Sequence, residues 1–276
     1  MRTGHHFAGV LGWPLEHTLS PPIHNAAFRA LSLDWVYFPW PVPPDALAPA
    51  IGGIRALGAM GANVTMPHKE SVIEYLDQVS GDASAVGAVN TIQRFGDELI
   101  GHNTDVDGFK AFMSSDAGAD PVGTGAVILG SGGAARAVVR ALADLGANSI
   151  TIVARDEERA ASVAAIGGDA GRIETFDRVR SLVEGAEIVV NATPLGTNGE
   201  DPVPDARWHA GQLVVDIVYL PPTTPMVRRA RSGGANAWNG LGMLVHQAAA
   251  SFRIWTGMDP SLEAMSAAAV RAMRSA

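Results

Sequence analysis

The sequence predicts an α/β protein with two domains, an N-terminal α/β domain and a C-terminal Rossmann-like domain. Short β-branched runs alternate with alanine-rich stretches of helical periodicity, which is typical of βαβ units. The chain has 276 residues, more than the ~150 residues of one typical domain. A glycine-rich turn, Gly130–Gly133, joins an apolar strand to a helix. We expect domains at 1–105 and 106–240, with the helices of 241–276 packed back on the first.

The first half carries the signals of strands and helices in alternation. Ser20 is predicted as a helix N-cap because Pro21 follows at the first helical position. Gly96-Asp97 between two β-rich runs predicts a hairpin. We expect strands at 7–12, 35–40, a short one ending at 64, 88–95 and 98–101, and helices from 20, at 44–57 and at 67–76.

The second half begins with a linking helix predicted at 106–113. The continuous apolar run Ala126–Leu129 predicts a buried strand, and the alanine-rich stretch after Gly133 predicts a helix that ends near Leu145. Further strands are expected at 149–154, 187–190 and 213–217, with helices at 157–166, 241–256 and 260–274.

Composition excludes several classes of function. The chain has no cysteine, so disulfides, cysteine nucleophiles and thiolate metal sites are excluded. A net charge of -8 argues against partners such as nucleic acid or anionic membranes. No stretch approaches the ~20 apolar residues of a membrane span, and the N-terminus lacks an apolar signal core. We expect a soluble, cytoplasmic protein that binds small molecules, with no metal because the histidines lack metal-type spacing.

Lysine is rare in this chain. Two of the 20 basic residues are lysines, Lys69 and Lys110. Arginine keeps its proton near neutral pH whereas lysine can lose it, so a reaction that needs a titratable cation would use one of these two. Lys110 lies between Phe109 and Phe112 in a predicted helix, where a solvated face is expected. Lys69 follows a Pro-His turn after a strand and is the stronger candidate.

The glycine-rich turn fits the Gly-x-Gly-x-x-Gly/Ala pattern of dinucleotide sites. Its first glycine permits a tight turn, and its second lets backbone N–H groups approach a pyrophosphate at the helix start. Such turns also occur for packing alone, but the strand before and the helix after this one favour a dinucleotide. The residues expected to contact it are Gly130, Ser131, Gly132, Gly133 and Ala134.

The end of the next strand indicates which dinucleotide binds. NAD-selective sites usually carry Asp or Glu there for the ribose 2′-hydroxyl. This strand ends at Ala154, followed by Arg155, with Arg159 one helical turn further on. Two guanidinium groups suit the 2′-phosphate of NADP, although they would also solvate a helix end. Asp156 and Glu157 keep NAD open as an alternative, and NADP is the expected cofactor.

Four polar clusters stand at predicted strand ends, where the ligand sites of α/β proteins gather. Together they supply hydroxyls, amides, one lysine and one carboxylate, which suit a small polyhydroxylated acid. The clusters are Thr18–Pro21, Asn63–Lys69, Val89–Thr91 and Asn103–Asp105.

The chain resembles the shikimate dehydrogenase family from Gly9 to about Gly257. The motifs that carry the resemblance are Glu16–Asn25 (EHTLSPPIHN), Gly61–Lys69 (GANVTMPHK), Gly87–Thr91 (GAVNT), Asn103–Asp105 (NTD), Asn191–Pro194 (NATP) and Gly240–Gln247 (GLGMLVHQ). The family implies a substrate domain, an NADP-binding domain and a cleft between them. It also implies reversible, NADPH-dependent reduction of 3-dehydroshikimate to shikimate in chorismate and aromatic amino-acid biosynthesis.

The resemblance also implies roles for individual residues. Thr18 and Ser20 would hold the substrate carboxylate, and Lys69 with Asp105 would form the catalytic pair, with the chemistry of a general acid beside the nicotinamide. The residues implied around the ring hydroxyls are Thr65, Asn90, Asp105, Tyr219 and Gln247. Those implied to contact the cofactor are the Gly130–Ala134 turn, Ala154, Arg155, Arg159, Asn191, Thr193, Ile217 and Gly240.

Two alternatives remain open from the sequence. A quinate/shikimate or aminoshikimate-type dehydrogenase that uses NAD or NADP would share the chemistry. Thr18, where the family most often has Ser, adds a methyl group to the carboxylate pocket, and Asp156 keeps NAD open. A non-catalytic NADP-binding sensor would be expected to lack the Lys69–Asp105 pair. The protein is expected to be a monomer or a homodimer.

Overall fold

The computed structural model describes residues 5–16 and 18–274; residues 1–4, His17 of the first motif, and residues 275–276 lie outside the described part. The chain divides into two compact units. The first unit comprises Met1–Gly108 and Val245–Ala276, and the second unit comprises Phe109–Leu244.

Strands and helices alternate along the described chain. In order they are β1 (His6–Gly12), α1 (Ser20–Ala30), β2 (Trp35–Pro41), α2 (Leu47–Leu57), β3 (Gly61–Val64), β4 (Gln78–Val79), α3 (Gly81–Val86), β5 (Thr91–Phe95), β6 (Glu98–His102), α4 (Asp105–Ala111), β7 (Gly125–Leu129), α5 (Gly133–Asp144), β8 (Ser149–Val153), α6 (Glu157–Ile166), β9 (Gly171–Glu174), α7 (Val179–Gly185), β10 (Ile188–Asn191), β11 (Leu213–Asp216), α8 (Pro225–Ser232), β12 (Asn236–Asn239), α9 (Leu241–Thr256) and α10 (Leu262–Met273).

The first unit contains a mixed six-stranded sheet in the order β2-β1-β3-β5-β6-β4. β1 is parallel to β2 and β3, whereas β5 is antiparallel to β3 and β6. The predicted hairpin is confirmed: Gly96, with φ +64°, turns the chain between β5 and β6. Buried aliphatic residues such as Leu11, Ala62 and Ile92 form the core of this sheet.

This topology brings three of the four polar clusters together at adjacent strand ends. Leu11 near the end of β1 lies opposite Val64 at the end of β3. Asn63 pairs with Thr91 at the start of β5, and Thr91 pairs with His102 at the end of β6. Because β5 runs in the opposite direction, its first residue lies beside the last residues of its neighbours. The clusters that follow β3 and β6 therefore meet the cluster that precedes β5.

The second unit contains a six-stranded parallel sheet in the order β12-β11-β10-β7-β8-β9. Counted from β7, this is the order of a doubly wound dinucleotide-binding fold. Its strands are short apolar runs because both faces of a parallel sheet are covered. Val127, Val189 and Val214 pack with α7 and α8 residues on one face.

Three local predictions were wrong. Ser20 is the first helical residue and Leu19 is the N-cap, with no side-chain cap. The helix predicted at 67–76 is a 3₁₀ turn at Ser71–Tyr75, closed by i to i+3 bonds such as Leu76 N–H to Ile73 O (3.3 Å). β-Branched residues at 72 and 73 disfavour an α-helix there. The strand predicted at 88–95 starts at Thr91, and the Val89 N–H donates to Lys69 O, which belongs to no strand.

The structure also contains short elements for which the sequence analysis made no prediction, namely β4, α3, β9, α7, α8 and β12. None of the helices in the described part of the chain has the length and apolarity of a bilayer span.

Candidate active site

A lysine and an aspartate form a close ion pair in the first unit. Lys69 Nζ lies 2.6 Å from Asp105 Oδ2, and the side chains are 18% and 7% exposed. Lys69 follows β3, and its carbonyl accepts the Val89 N–H (2.8 Å), which holds this segment beside β5. Asp105 begins α4, and its N–H donates to Asn103 Oδ1 (3.1 Å). The structure therefore brings together the two residues predicted as the catalytic pair.

Asn90 holds the other oxygen of the aspartate. Its Nδ2 donates to Asp105 Oδ1 at 2.8 Å, while its Oδ1 accepts the backbone N–H of Thr104 at 2.7 Å. A backbone N–H can only donate, so the orientation of the Asn90 amide is fixed. Asp105 thus accepts from an amide on one oxygen and from Lys69 on the other, an arrangement that keeps the ammonium in one place.

Two further residues predicted to contact substrate, Gln247 and Thr65, lie in the first unit. Gln247 is buried on α9, with its Oε1 3.3 Å from Asn90 Nδ2. Thr65 is half-buried just after β3, and its N–H donates to Leu11 O (2.8 Å). A Cβ at Gly12 would lie 2.3 Å from Thr65 Cγ2, so glycine is required at the end of β1.

Thr18 and Ser20 stand at the start of α1. The Ser20 N–H donates to Thr18 Oγ1 (3.3 Å), which holds the Thr18 hydroxyl at the start of the helix. Pro21 and Pro22 follow and have no N–H, so the backbone offers few donors at this helix start. The two hydroxyl groups are the donors that could hold a carboxylate here.

The glycine-rich turn lies between β7 and α5 in the second unit. Gly130 has φ +112°, which L side chains rarely adopt, and a Cβ there would lie 3.0 Å from Thr193 Cγ2, so a side chain would be both strained and crowded. Gly132 is the N-cap of α5, whose first turn has no side-chain cap and no acidic residue. A Cβ at Gly132 would meet no atom within 4 Å. The half-buried Ser131, Gly133 and Ala134 complete this turn, and the donors fit a pyrophosphate.

The arginines expected to bind the 2′-phosphate follow β8. Ala154 is half-buried, whereas Arg155 and Arg159 are exposed. Asp156 is the N-cap of α6, and its Oδ1 accepts the Arg159 N–H at 3.0 Å. This carboxylate is therefore engaged in capping a helix, which weakens the argument that it selects NAD by binding a ribose hydroxyl.

The remaining predicted cofactor residues lie at or just after the ends of β10, β11 and β12. Asn191 at the end of β10 accepts the Thr193 N–H and hydroxyl, and its Nδ2 donates to Asp216 Oδ1 (2.9 Å). The Ile217 N–H donates to Asn191 O (3.0 Å). A Cβ at Gly240 would lie 2.0 Å from Ile217 O, so Gly240 permits a close approach. Tyr219 is half-buried two residues beyond Ile217 in the same unit.

Burial of Asp216 is expected to make the stability of the second unit depend on pH. Burial raises the pKa of Asp216 to about 6, against about 4 in an unfolded chain. The folded unit thus favours the protonated form, and the stability from this group is present below about pH 4 and lost as pH rises through about 6. Asp216→Asn should remove this loss, worth up to about 3 kcal/mol.

Unfolding of the native chain and of Asp216→Asn at several pH values checks this expectation. Asparagine keeps an acceptor for Asn191 and the Val218 N–H, and its amide can donate to Thr224 Oγ1. A pH dependence of unfolding that is the same in both proteins between about pH 4 and 7 would contradict it.

Lys110, the other lysine of the chain, lies in the second unit and pairs with a different aspartate. Phe109 and Phe112 are fully buried, whereas Lys110 Nζ pairs at the surface with Asp144 Oδ2 at 2.5 Å. The lysine is thus an ion-pair partner rather than a purely solvated side chain.

Among residues 5–16 and 18–274, no group of three or more His, Asp or Glu side chains could hold a metal ion.

Several buried polar residues that hydrogen-bond to one another next to Asn90 were not predicted to support the site. Asn63, Thr91 and Thr104 lie in the predicted clusters but received no role, and Ser251 lies outside every motif. Ser251 Oγ is 2.8 Å from Thr91 Oγ1 and 3.1 Å from Thr104 Oγ1. Its position four residues after Gln247, on the same face of a predicted helix, is a signal that could have found it.

Comparisons with known proteins agree across the chain. Residues 10–92 match the shikimate dehydrogenase substrate-binding domain, residues 118–217 the shikimate/quinate 5-dehydrogenase domain, and residues 240–270 the shikimate 5′-dehydrogenase C-terminal domain. The shikimate dehydrogenase (NADP⁺) of Methanothermobacter thermautotrophicus is 41% identical over 276 residues, which cover 97% of each chain.

Solved structures give the same result. A crystal structure of a shikimate dehydrogenase in complex with NADP⁺ has a TM-score of 0.89 at 37% identity, covering 96% of this chain and 95% of that one. The Thermus thermophilus shikimate 5-dehydrogenase in complex with NADP(H) and shikimate has a TM-score of 0.84 at 35% identity, covering 97% and 99%. With these matches over nearly its whole length, the chain belongs to the shikimate dehydrogenase family.

Proposed function

We propose that this protein catalyses the reversible, NADPH-dependent reduction of 3-dehydroshikimate to shikimate, a step of chorismate and aromatic amino-acid biosynthesis. The observation that carries the proposal is the Lys69–Asp105 pair at 2.6 Å, with Asn90 holding the second carboxylate oxygen at 2.8 Å. A non-catalytic sensor has no use for a partly buried ion pair in the substrate unit. The relatives that are named shikimate dehydrogenase (NADP⁺), and the related structure in complex with NADP(H) and shikimate, support shikimate rather than quinate as the substrate of this protein.

Reduction of a ketone needs a proton on oxygen as well as a hydride on carbon. NADPH supplies the hydride when bound. Lys69 donates the proton to the carbonyl oxygen and stabilises the developing alkoxide; in the reverse direction it takes the proton from the substrate hydroxyl. Asp105 fixes the ammonium through the 2.6 Å contact and presents its carboxylate to a ring hydroxyl.

The substrate is held by neutral donors and acceptors in the first unit. The hydroxyls of Thr18 and Ser20 donate to its carboxylate, while Thr65, Asn90 and Gln247 hydrogen-bond its ring hydroxyls. Amides and hydroxyls both donate and accept, which suits a ligand that carries several hydroxyl groups. We propose that residues 1–105 form the substrate domain, and residues 106–240 the NADP domain.

The donors of the second unit fit a dinucleotide phosphate. The uncapped start of α5 offers backbone N–H groups with no competing carboxylate in its first turn. Arg155 and Arg159 follow β8 and provide the positive charge that a 2′-phosphate requires.

Arg155→Ala should raise the KM for NADP⁺ by about tenfold and leave the KM for NAD⁺ within about twofold. The expected change in KM is no larger than this because Arg155 is exposed, and solvent weakens its charge-assisted bond to the 2′-phosphate. Steady-state rates with each cofactor measure the effect. Arg180→Ala is the matched control, since Arg180 is an exposed arginine of the same unit that pairs with Glu184. An equal loss for both cofactors would show that Arg155 does not bind the 2′-phosphate.

The proposed activity is tested by oxidation of shikimate and of quinate, each with NADP⁺ and with NAD⁺. We expect kcat/KM to be highest for shikimate with NADP⁺ by at least about tenfold. A preference for quinate or for NAD⁺ would replace the proposal by the quinate/shikimate-type alternative. We further propose that the protein acts in the cytoplasm, as a monomer or a homodimer.

A further inference from the structure

A buried tyrosine that has no role in the proposed mechanism lies next to the proposed site, where its side chain hydrogen-bonds Ser20 as well as Asn63. Tyr37 is on β2, is 2% exposed, and its hydroxyl donates to Asn63 Oδ1 at 2.6 Å. Burial raises the pKa of Tyr37 well above its usual value. The Tyr37 hydroxyl therefore keeps its proton near neutral pH and remains a hydrogen-bond donor.

The Tyr37 side chain is held from several sides. Asn25 on α1 accepts the Tyr37 N–H and donates to its carbonyl, both at 2.9 Å. The ring of His24 stacks on the Tyr37 ring at 4.4 Å, and Trp255 packs at 6.0 Å. The phenol is thus fixed both through the backbone and through its ring faces, so its hydroxyl has a defined position.

The Tyr37 hydroxyl and its partners leave one orientation for the Asn63 amide. Asn63 Nδ2 lies 3.1 Å from the carbonyl oxygen of Asn90, which can only accept. Its Oδ1 consequently faces Tyr37 and accepts the phenol proton. The Nδ2 group also lies 3.0 Å from both Thr91 Oγ1 and Ser251 Oγ.

Thr91 continues the connection to the proposed catalytic pair. The fully buried Thr91 hydroxyl accepts from Asn63 and lies 3.1 Å from Asn90 Oδ1, where it is the donor because an amide oxygen only accepts. The same hydroxyl also contacts Ser251 Oγ at 2.8 Å and Thr104 Oγ1 at 3.3 Å. Asn90 then donates to Asp105, the partner of Lys69. Every donor in this series has an acceptor, and buried networks of this kind fix side-chain orientations when all members are satisfied.

We propose that Tyr37 is a positioning residue, whose hydroxyl orients Asn63 and, through Thr91, the Asn90 amide that holds Asp105. This inference rests on the site assignment made under the proposed function. Loss of the phenol hydroxyl would leave the buried Asn63 Oδ1 without a donor, while Asn63 Nδ2 keeps its bond to the Asn90 carbonyl. We expect Asn63 to shift in response, and Thr91, Asn90 and Asp105, which are hydrogen-bonded in series to it, to shift with it.

Tyr37→Phe removes the hydroxyl and keeps the ring. We expect kcat for shikimate oxidation to fall about fivefold to tenfold, with the KM for NADP⁺ unchanged within about twofold. Tyr75→Phe is the matched control, because it makes the same chemical change at a partly exposed tyrosine on the 3₁₀ turn of the same unit. Thermal unfolding confirms that both variants are folded.

A double-mutant cycle separates positioning from general loosening of the unit. If Tyr37 acts through Asn90, Tyr37→Phe should lower kcat about fivefold to tenfold in the native chain and less than about twofold in an Asn90→Ala background. The same factor in both backgrounds, or no effect in the native chain, would overturn the proposal.

A second pair of variants decides the matter if Tyr37→Phe does not fold. Thr91→Val breaks the link between Asn63 and Asn90 at nearly constant volume, whereas Thr91→Ser keeps the hydroxyl. We expect a kcat loss of about fivefold or more for valine and near-native kcat for serine. Equal kcat values for the two variants would overturn the proposal.

Lys69→Ala and Asp105→Asn, assayed alongside, distinguish this inference from the site assignment. If they leave kcat unchanged, the site assignment itself fails. If they lower kcat strongly while Tyr37→Phe behaves like Tyr75→Phe, the inference about Tyr37 alone fails.

Discussion

Lys69→Ala is expected to lower kcat by about 10²–10⁴-fold, the usual range for removal of a general acid–base group. The proton that Lys69 supplies would have to come from water, and the alkoxide would lose its charge partner. The KM for NADP⁺ should change little, because the glycine-rich turn belongs to the other unit. Steady-state kinetics of shikimate oxidation measure both quantities.

The second lysine of the chain provides the control. Lys110→Ala removes the same ammonium group from a surface ion pair with Asp144 and should keep kcat within about twofold. Near-native kcat in folded Lys69→Ala would remove Lys69 from the mechanism. A large loss in Lys110→Ala as well would show that the loss reflects general destabilisation.

Acid destabilisation of the first unit is expected to depend on His24. Burial lowers the pKa of His24 to about 3, and its ring packs against Tyr37, Phe28 and Trp255. In an unfolded chain the pKa is about 6.5. The unfolded state therefore binds a proton as pH falls below 6.5 whereas the folded state does not, and stability is lost between about pH 6.5 and 3. By about pH 4.5 the loss is about 3 kcal/mol.

His24→Leu should abolish this part of the acid response, since leucine has a similar volume and does not titrate. Unfolding of the native chain and the variant at about pH 7 and about pH 4.5 measures the difference. His6→Leu, at an exposed histidine on β1, should keep the native pH dependence. An unchanged acid loss in His24→Leu would assign the loss to other groups. The opposite sign is expected for Asp216, which gains stability in acid.

The regular parts of the fold could be predicted from local patterns. The apolar run Ala126–Leu129, the glycine-rich turn and the alanine-rich helix after it carry strong periodicity and turn signals. The hairpin at Gly96 has an equally local cause. In contrast, β4 and β9 have two and four residues, too few for a period to be recognised, and their pairing depends on neighbours distant in sequence.

The proposed site divides in the same way. Lys69 and Asp105 stand in motifs at strand ends, so residue type and position identify them. Tyr37 and Ser251 have ordinary positions in a strand and a helix, and their importance comes from contacts with Asn63 across 26 and 188 residues of sequence. Such contacts depend on sheet order and helix placement, which no local pattern specifies.

The most direct test of the central claim is the kcat of Lys69→Arg. Arginine keeps a cation beside Asp105 but holds its proton near neutral pH, so it can neither take nor give one during turnover. If Lys69 transfers the proton, Lys69→Arg should be folded, bind NADP⁺ normally and show a kcat as low as that of Lys69→Ala. A kcat near that of the native chain would contradict this role, because a fixed positive charge would then suffice.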